Sequence, residues 1–303
     1  MRAFVFPGQG SQYVGMTQKI PESAVKKEFF SKASEILGFD LFEICEKGPQ
    51  ETLTSTDVTQ PALFTVSAIY DVLLKEKGIT RDIVAGHSVG EYAALFSANA
   101  ISFETGLKLV RTRGLLMKEV SSKSPGKMLA VIGLDAERIK KVLEEASKFG
   151  VIVNANNNSY DQVVLSGSVE AINEAQRIAK ELGARLARPL EVSAAFHSPL
   201  MEPVVSEMSK AIDEAVYNKP EVPVVQNVTT EPETDVERIK ENLKKQLTGS
   251  VNWLDSVLKM QSLGVDEFYE VGPKNVLKGL IERIIKGASV KCGEEAFWWF
   301  RLI

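Results

Sequence analysis

The chain of 303 residues has only two cysteines, Cys45 and Cys292, and only two histidines, His87 and His197. Two distant thiols give neither a disulfide framework nor a metal-binding spacing, so no metal site and no cofactor is expected, and reduced cytoplasmic thiols are. Positive charge is not in excess: 36 basic against 40 acidic residues leave a net charge of −4, the wrong sign for a nucleic-acid binder. No apolar run approaches the length of a bilayer span, and Ala3-Phe4-Val5-Phe6 before Pro7 is too short for a secretory signal, so no membrane partner is expected. Repeats and low-complexity segments are missing too. What remains, at 44% apolar and 25% charged residues, is an ordinary globular composition with enough chain to bury a substantial core.

Against this scarcity one stretch stands out. Ile83-Val84-Ala85 is a short apolar run, Gly86-His87-Ser88-Val89-Gly90 is a Gly-x-Ser-x-Gly, and Glu91-Tyr92-Ala93-Ala94-Leu95-Phe96 has the character of a buried helix. That is the strand, tight turn and helix of a nucleophile elbow, in which the flanking glycines avoid side-chain clashes and the serine is held in a strained conformation at a helix head. Gly-x-Ser-x-Gly also arises by chance in many chains; here the context on both sides fits.

Before the elbow, Arg2 to Phe6 reads as a buried strand that runs into Gly8-Gln9-Gly10-Ser11-Gln12. A dinucleotide fingerprint would need a third glycine where Tyr13 stands, so the loop is read instead as a place where backbone N–H groups approach a reacting oxygen. Helices are expected at 24–37 and 41–47, and a long one is expected to end near Lys77 with Pro61 early in it. From Ser124-Pro125-Gly126 the pattern changes to strand, helix, strand, strand, helix, strand, with Asn157 to Asp161 as a turn between the middle strands. This order predicts a ferredoxin-like βαββαβ subdomain at 124–192 inserted in a large α/β domain (1–123 and 193–303) with a mainly parallel sheet flanked by helices. The aromatic tail Phe297-Trp298-Trp299-Phe300 is expected to pack on the body.

A serine nucleophile needs a base. His87 adjoins Ser88 in a tight turn, so its ring must point elsewhere and a structural role is expected. His197, in the loop Ala194-Ala195-Phe196-His197-Ser198-Pro199, is the better base. No acid stands out between elbow and histidine, which favours a Ser–His dyad oriented by a carbonyl or an amide over a hydrolase triad.

These stretches resemble the malonyl-CoA:acyl carrier protein transacylases, the acyltransferases of fatty-acid synthesis. The resemblance rests on Phe6-Pro7-Gly8-Gln9-Gly10-Ser11-Gln12, Thr59-Gln60-Pro61-Ala62, Gly86 to Glu91, Arg111-Thr112-Arg113-Gly114, Gln162 to Gly167, Phe196 to Met201 and Tyr269 to Pro273, which run in family order along nearly the whole chain. It implies that Ser88 takes the malonyl group from malonyl-CoA as an ester, with His197 as base and then acid. It further implies that the Gln9 and Val89 N–H groups form the oxyanion hole and that Arg113 holds the malonyl carboxylate. Gln246 would orient His197 through its main-chain carbonyl, and Asn158 and Phe196 would contact substrate. The family often has leucine where Val89 stands and proline where Ser250 stands; neither change touches the nucleophile, the base or the arginine.

The acceptor implied is the thiol of an acidic acyl carrier protein, so a local basic dock is expected from Lys108, Arg111, Lys118, Lys274 and Lys278. Without the family, Arg113 reads better as part of a solvated helix face among Lys108, Arg111 and Lys118. A serine esterase and a non-catalytic carrier-binding module are the competing functions.

Overall fold

The computed structural model describes residues 1–123, 125–192 and 194–293. In chain order the elements are β1 (Arg2–Phe6), α1 (Ala24–Leu37), α2 (Leu41–Lys47), α3 (Gln50–Thr54), α4 (Thr56–Glu76), β2 (Ile83–Gly86), α5 (Gly90–Ser97) and α6 (Phe103–Lys123). There follow β3 (Gly126–Ile132), α7 (Ala136–Ala146), β4 (Ile152–Ser159), β5 (Gln162–Ser168), α8 (Val169–Glu181), β6 (Leu186–Pro189) and α9 (Glu202–Glu214). The last are β7 (Val224–Val225), β8 (Pro232–Glu233), α10 (Val236–Gln246), α11 (Trp253–Ser262), β9 (Glu267–Glu270), α12 (Val276–Ile284) and β10 (Ser289–Cys292).

Six strands form one sheet in the order β10-β9-β1-β2-β7-β8, parallel throughout except for the β7–β8 pair. The period of two in β1 divides the core: Phe4 and Phe6 pack under α4, α5 and α6, while Ala3 and Val5 pack under α11 and α12. Both faces are therefore covered, as the mixed α/β expectation required. The sequence missed α3 and the edge strand β10, and the aromatic tail lies outside the described residues.

A second, wholly antiparallel sheet has the order β4-β5-β3-β6. Leu129 and Val131 of β3 face α7 and α8, whereas Met128 joins the large core. Beside these apolar contacts, the segment around Val251 is hydrogen-bonded to β4. Val251 N–H donates to the Ala155 carbonyl (2.8 Å), Asn157 N–H to the Val251 carbonyl (2.9 Å), and Ser250 Oγ to the Asn154 carbonyl (2.6 Å).

One local expectation needs correction. Asn157, Asn158 and Ser159 are not a turn: they extend β4 against β5, with irregular register, because Asn157 is tied to Val251. Pro61 does fall early in its helix, as expected, but beyond the first turn, since α4 begins at Thr56. A proline here has no N–H for the carbonyl of Asp57, one turn back. The Arg111 guanidinium supplies the missing donor to that carbonyl at 2.6 Å and also bonds the Asp57 carboxylate at 3.0 Å.

Candidate active site

Strands β1 and β2 end side by side, Phe6 opposite Gly86, and both chains turn there at the same edge of the sheet. His87 N–H donates to the Phe6 carbonyl at 2.9 Å, Ser88 has φ of 54°, and α5 starts two residues later. The glycines are required by space. A Cβ on Gly86 would sit 2.0 Å from the Gly90 carbonyl, and one on Gly90 would sit 2.2 Å from the Phe6 carbonyl oxygen. The elbow expected from Gly-x-Ser-x-Gly is therefore present, with Ser88 at the positive end of α5.

Ser88 Oγ lies 2.7 Å from His197 Nε2, and His197 Nδ1 donates to the main-chain carbonyl of Gln246 at 2.8 Å. The second bond fixes the tautomer: Nδ1 carries the proton, and Nε2 offers its lone pair to the serine. His197 is itself held at φ of 56°, and Ser198 Oγ clamps the loop by donating to the Ala195 carbonyl at 2.6 Å. Burial, reinforced by the positive charge of Arg113, depresses the His197 pKa to about 3. The imidazole is a neutral base at any ordinary pH.

Arg113 comes from the buried face of α6 and is 1% exposed. Its Nη1 donates to Gln60 Oε1 (2.9 Å) and its Nη2 to Gln246 Oε1 (3.1 Å) and Ser88 Oγ (3.3 Å), while Nε is buried without a hydrogen-bond partner. Burial lowers its pKa, and no acidic side chain among the described residues pairs with it directly. The solvated-helix-face reading of Arg113 fails. Arginine does not give up its proton under these conditions, so this is a buried cation aimed at Ser88 Oγ.

Ser88, Val89, Gln9, Arg113 and His197 line one cleft of about 90 Å³, walled by Met117 and Phe196 on one side. Met128, Asn156, Leu190 and Val192, from the second sheet and the segment after it, form the other wall. A larger surface groove of about 660 Å³ beside α1 contains neither Ser88 nor His197. Among the described residues no group of three or more His, Cys, Asp or Glu side chains is placed to hold a metal ion. None of the helices described is long and apolar enough to cross a membrane.

Asn158 is the expected substrate residue that the structure does not bring to the cleft. It is 7% exposed, and its Oδ1 meets His87 Nε2 at 2.8 Å, so it anchors the ring of His87, which also packs on Trp253. Asn156 of the same strand lines the cleft instead.

Three polar residues around the elbow carried no sequence signal of a role. Gln60 supports Arg113. Asn227 accepts from Ser88 N–H (2.8 Å) and donates to the Gly86 carbonyl (2.6 Å), bracing the turn. Glu91, 1% exposed, accepts from Gln246 Nε2 at 2.7 Å. Of the five basic residues expected at a dock, Arg111 and Lys118 share Asp57, and Lys274 donates to the Gly10 carbonyl at 3.0 Å. Lys108 is exposed.

A strained serine, a neutral buried base and a helix N-terminus suit acyl transfer through the serine oxygen. The acyl transferase domain model matches residues 3–292. This chain belongs to the acyl transferase family. Over 285 residues it is 43% identical to a malonyl CoA-acyl carrier protein transacylase of Escherichia coli strain K12, covering 93% of this chain and 92% of that one. The malonyl CoA-acyl carrier protein transacylase structure from Coxiella burnetii superposes with a TM-score of 0.95 at 38% identity, covering 100% of this chain and 96% of the other. A malonyl-transacylase in complex with its holo type II polyketide acyl-carrier protein is equally similar in sequence, at 38% identity and a TM-score of 0.93, with 96% and 95% coverage. The family's mixed α/β architecture, with a parallel-rich sheet flanked by helices, is the one described above.

Proposed function

We propose that this acyl transferase moves a malonyl group from malonyl-CoA to the phosphopantetheine thiol of an acyl carrier protein, as a step of fatty-acid synthesis, through a malonyl ester on Ser88. The observation that carries the reading is the buried Arg113 guanidinium, without a carboxylate partner, 3.3 Å from Ser88 Oγ. An acyl group bonded to that oxygen and ending in a carboxylate places its charge on the guanidinium; an acetyl group leaves the cation unpaired, which is costly when buried.

In the first half-reaction His197 Nε2 takes the Ser88 proton as Oγ attacks the thioester carbonyl. The tetrahedral oxyanion accepts hydrogen bonds from the Gln9 and Val89 N–H groups, each such donor contributing about 3 kcal/mol. Collapse breaks the C–S bond, and His197 returns the proton to the departing coenzyme A thiolate. In the second, His197 takes the proton of the carrier thiol, the sulfur attacks the ester, and Ser88 Oγ leaves with the proton. The Gln246 carbonyl keeps the imidazole aligned in both steps. Phe196 and Met117 narrow the cleft against water, which supports transfer over hydrolysis. Nothing in the scheme calls for a metal or a cofactor.

The carrier is read as docking by charge, with Lys108 and Lys278 contributing alongside Lys118 and Lys274. The relative solved with its acyl-carrier protein supports the partner class. The antiparallel sheet is read as the inserted ferredoxin-like subdomain (124–192), supported by its strand order and by α7 and α8 on one face. A cytoplasmic setting fits a coenzyme A thioester substrate and the buried free thiols of Cys45 and Cys292.

Intact-mass measurement after mixing with malonyl-CoA tests the reading. The expected result is one malonyl group on the peptide containing Ser88, discharged by holo carrier protein and absent from Ser88→Ala. No adduct, an adduct that persists in Ser88→Ala, or loss to water as fast as loss to the carrier would each overturn it; the last outcome is the esterase.

A further inference from the structure

Glu91 has no part in the scheme above, yet it is a buried carboxyl in the first turn of α5. Its Oε2 accepts from Gln246 Nε2 at 2.7 Å and from the Asn227 main-chain N–H at 3.2 Å, and its Oε1 is buried without a hydrogen-bond partner. Gln246, fully buried, faces three ways. Its Nε2 meets acceptors only: Glu91 Oε2, the Ser88 carbonyl (3.2 Å) and Asn227 Oδ1 (3.3 Å). Its Oε1 is thereby turned to Arg113 Nη2, and its main-chain carbonyl to His197 Nδ1. A carboxamide rotated by half a turn would point its NH₂ at the guanidinium and its oxygen at the carboxyl, two contacts of like polarity.

We infer that Glu91 is a positioning residue for acyl-group selection: by locking the Gln246 carboxamide it holds Arg113 ready for a carboxylate-bearing acyl group without occupying the guanidinium itself. A glutamate in direct contact with Arg113 would satisfy the cation and compete with the substrate. One amide in between keeps negative charge close and leaves the guanidinium without a carboxylate of its own. Burial pushes the Glu91 carboxyl up to about 7, and in either ionisation state Oε2 keeps a lone pair for Gln246 Nε2. Glutamine at this position preserves that acceptor; alanine removes it.

The inference rests on the roles given above to Ser88 and Arg113, and the test separates the two. Wild type, Glu91→Gln and Glu91→Ala are acylated with malonyl-CoA and acetyl-CoA in competition, and the acyl-enzyme masses and melting temperatures are read together. Glu91→Gln keeps the malonyl-to-acetyl ratio within about threefold of wild type, whereas Glu91→Ala lowers it about tenfold or more, the scale of one lost hydrogen bond to a charged group. The loss falls on the malonyl rate and leaves the acetyl rate nearly unchanged. Equal loss on both substrates, or a Gln variant as unselective as the Ala variant, overturns the inference. If Glu91→Ala does not fold, the ratio is read on Glu91→Asp, whose shorter arm withdraws from Gln246; an unchanged ratio there overturns it too. A wild type that forms no malonyl ester sinks the transacylase reading instead.

Discussion

Arg113 Nη2 and Ser88 Oγ are 3.3 Å apart, so a buried positive charge and the strained serine oxygen are direct neighbours. Arg113→Ala is expected to lower malonyl transfer by about 10- to 100-fold, the range for losing a charge-assisted hydrogen bond, while acetyl transfer holds or rises. Arg113→Lys does not restore selectivity, because an ammonium offers no planar pair of donors. Competition between the two thioesters, read by acyl-enzyme mass, checks both statements.

His197 sets a pH dependence unlike that of an ordinary histidine. Its pKa is depressed to about 3, so the base form persists well below 6.5 and kcat/KM for malonyl-CoA should show no acid limb centred near that value. An acid limb near 6.5 in the pH–rate profile would count against the buried neutral imidazole. The same displacement affects stability. The unfolded chain takes up a proton near 6.5 that the folded site refuses until about 3, so stability present above 6.5 is lost as pH falls through that window. Melting curves of wild type and His197→Asn should diverge in that sense.

The elbow glycines tolerate no side chain. Gly86→Ala and Gly90→Ala each place a Cβ within 2.2 Å of backbone. Each is expected to cost at least about 1–3 kcal/mol, as for overpacking elsewhere in protein interiors, and to displace Ser88. Denaturant midpoints and the malonyl adduct should fall together.

Arg111 and Lys108 are both basic residues of α6, but they should behave differently. Arg111→Ala removes the donor to the Asp57 carbonyl that Pro61 leaves open, and about 1.5–3 kcal/mol of stability is expected to go with it. Lys108→Ala, on an exposed side chain, leaves the melting temperature unchanged and raises KM for the carrier, an effect that shrinks as salt is added. Thermal melts and carrier titrations at two ionic strengths distinguish them.

What the sequence disclosed was local or forced by scarcity. The elbow was legible because sterics within five consecutive residues dictate it, and His197 because only one other histidine existed. Helix α1 was legible at both ends, where Ser23 caps the Lys26 N–H and Gly38 leaves in the left-handed conformation. The strand Asn157 to Ser159 was misread because its partners, β5 and Val251, are supplied by tertiary structure. Asn158 went astray for the same reason, its partner His87 being 71 residues away. Gln60 and Glu91 lie in the stretches that carry the resemblance, yet their bracing role, like that of Asn227, could not be read there, since buried polar residues become a network only once the fold brings their donors and acceptors together.

The backbone bonds of Val251 to β4 fasten one wall of the cleft to the segment that orients His197. The segment fastened there leads directly from Gln246, whose carbonyl holds the imidazole, and the wall of the cleft that carries Asn156 belongs to the same strand. One wall of the cleft and the anchor of the imidazole are therefore one connected piece of backbone, not two independent parts.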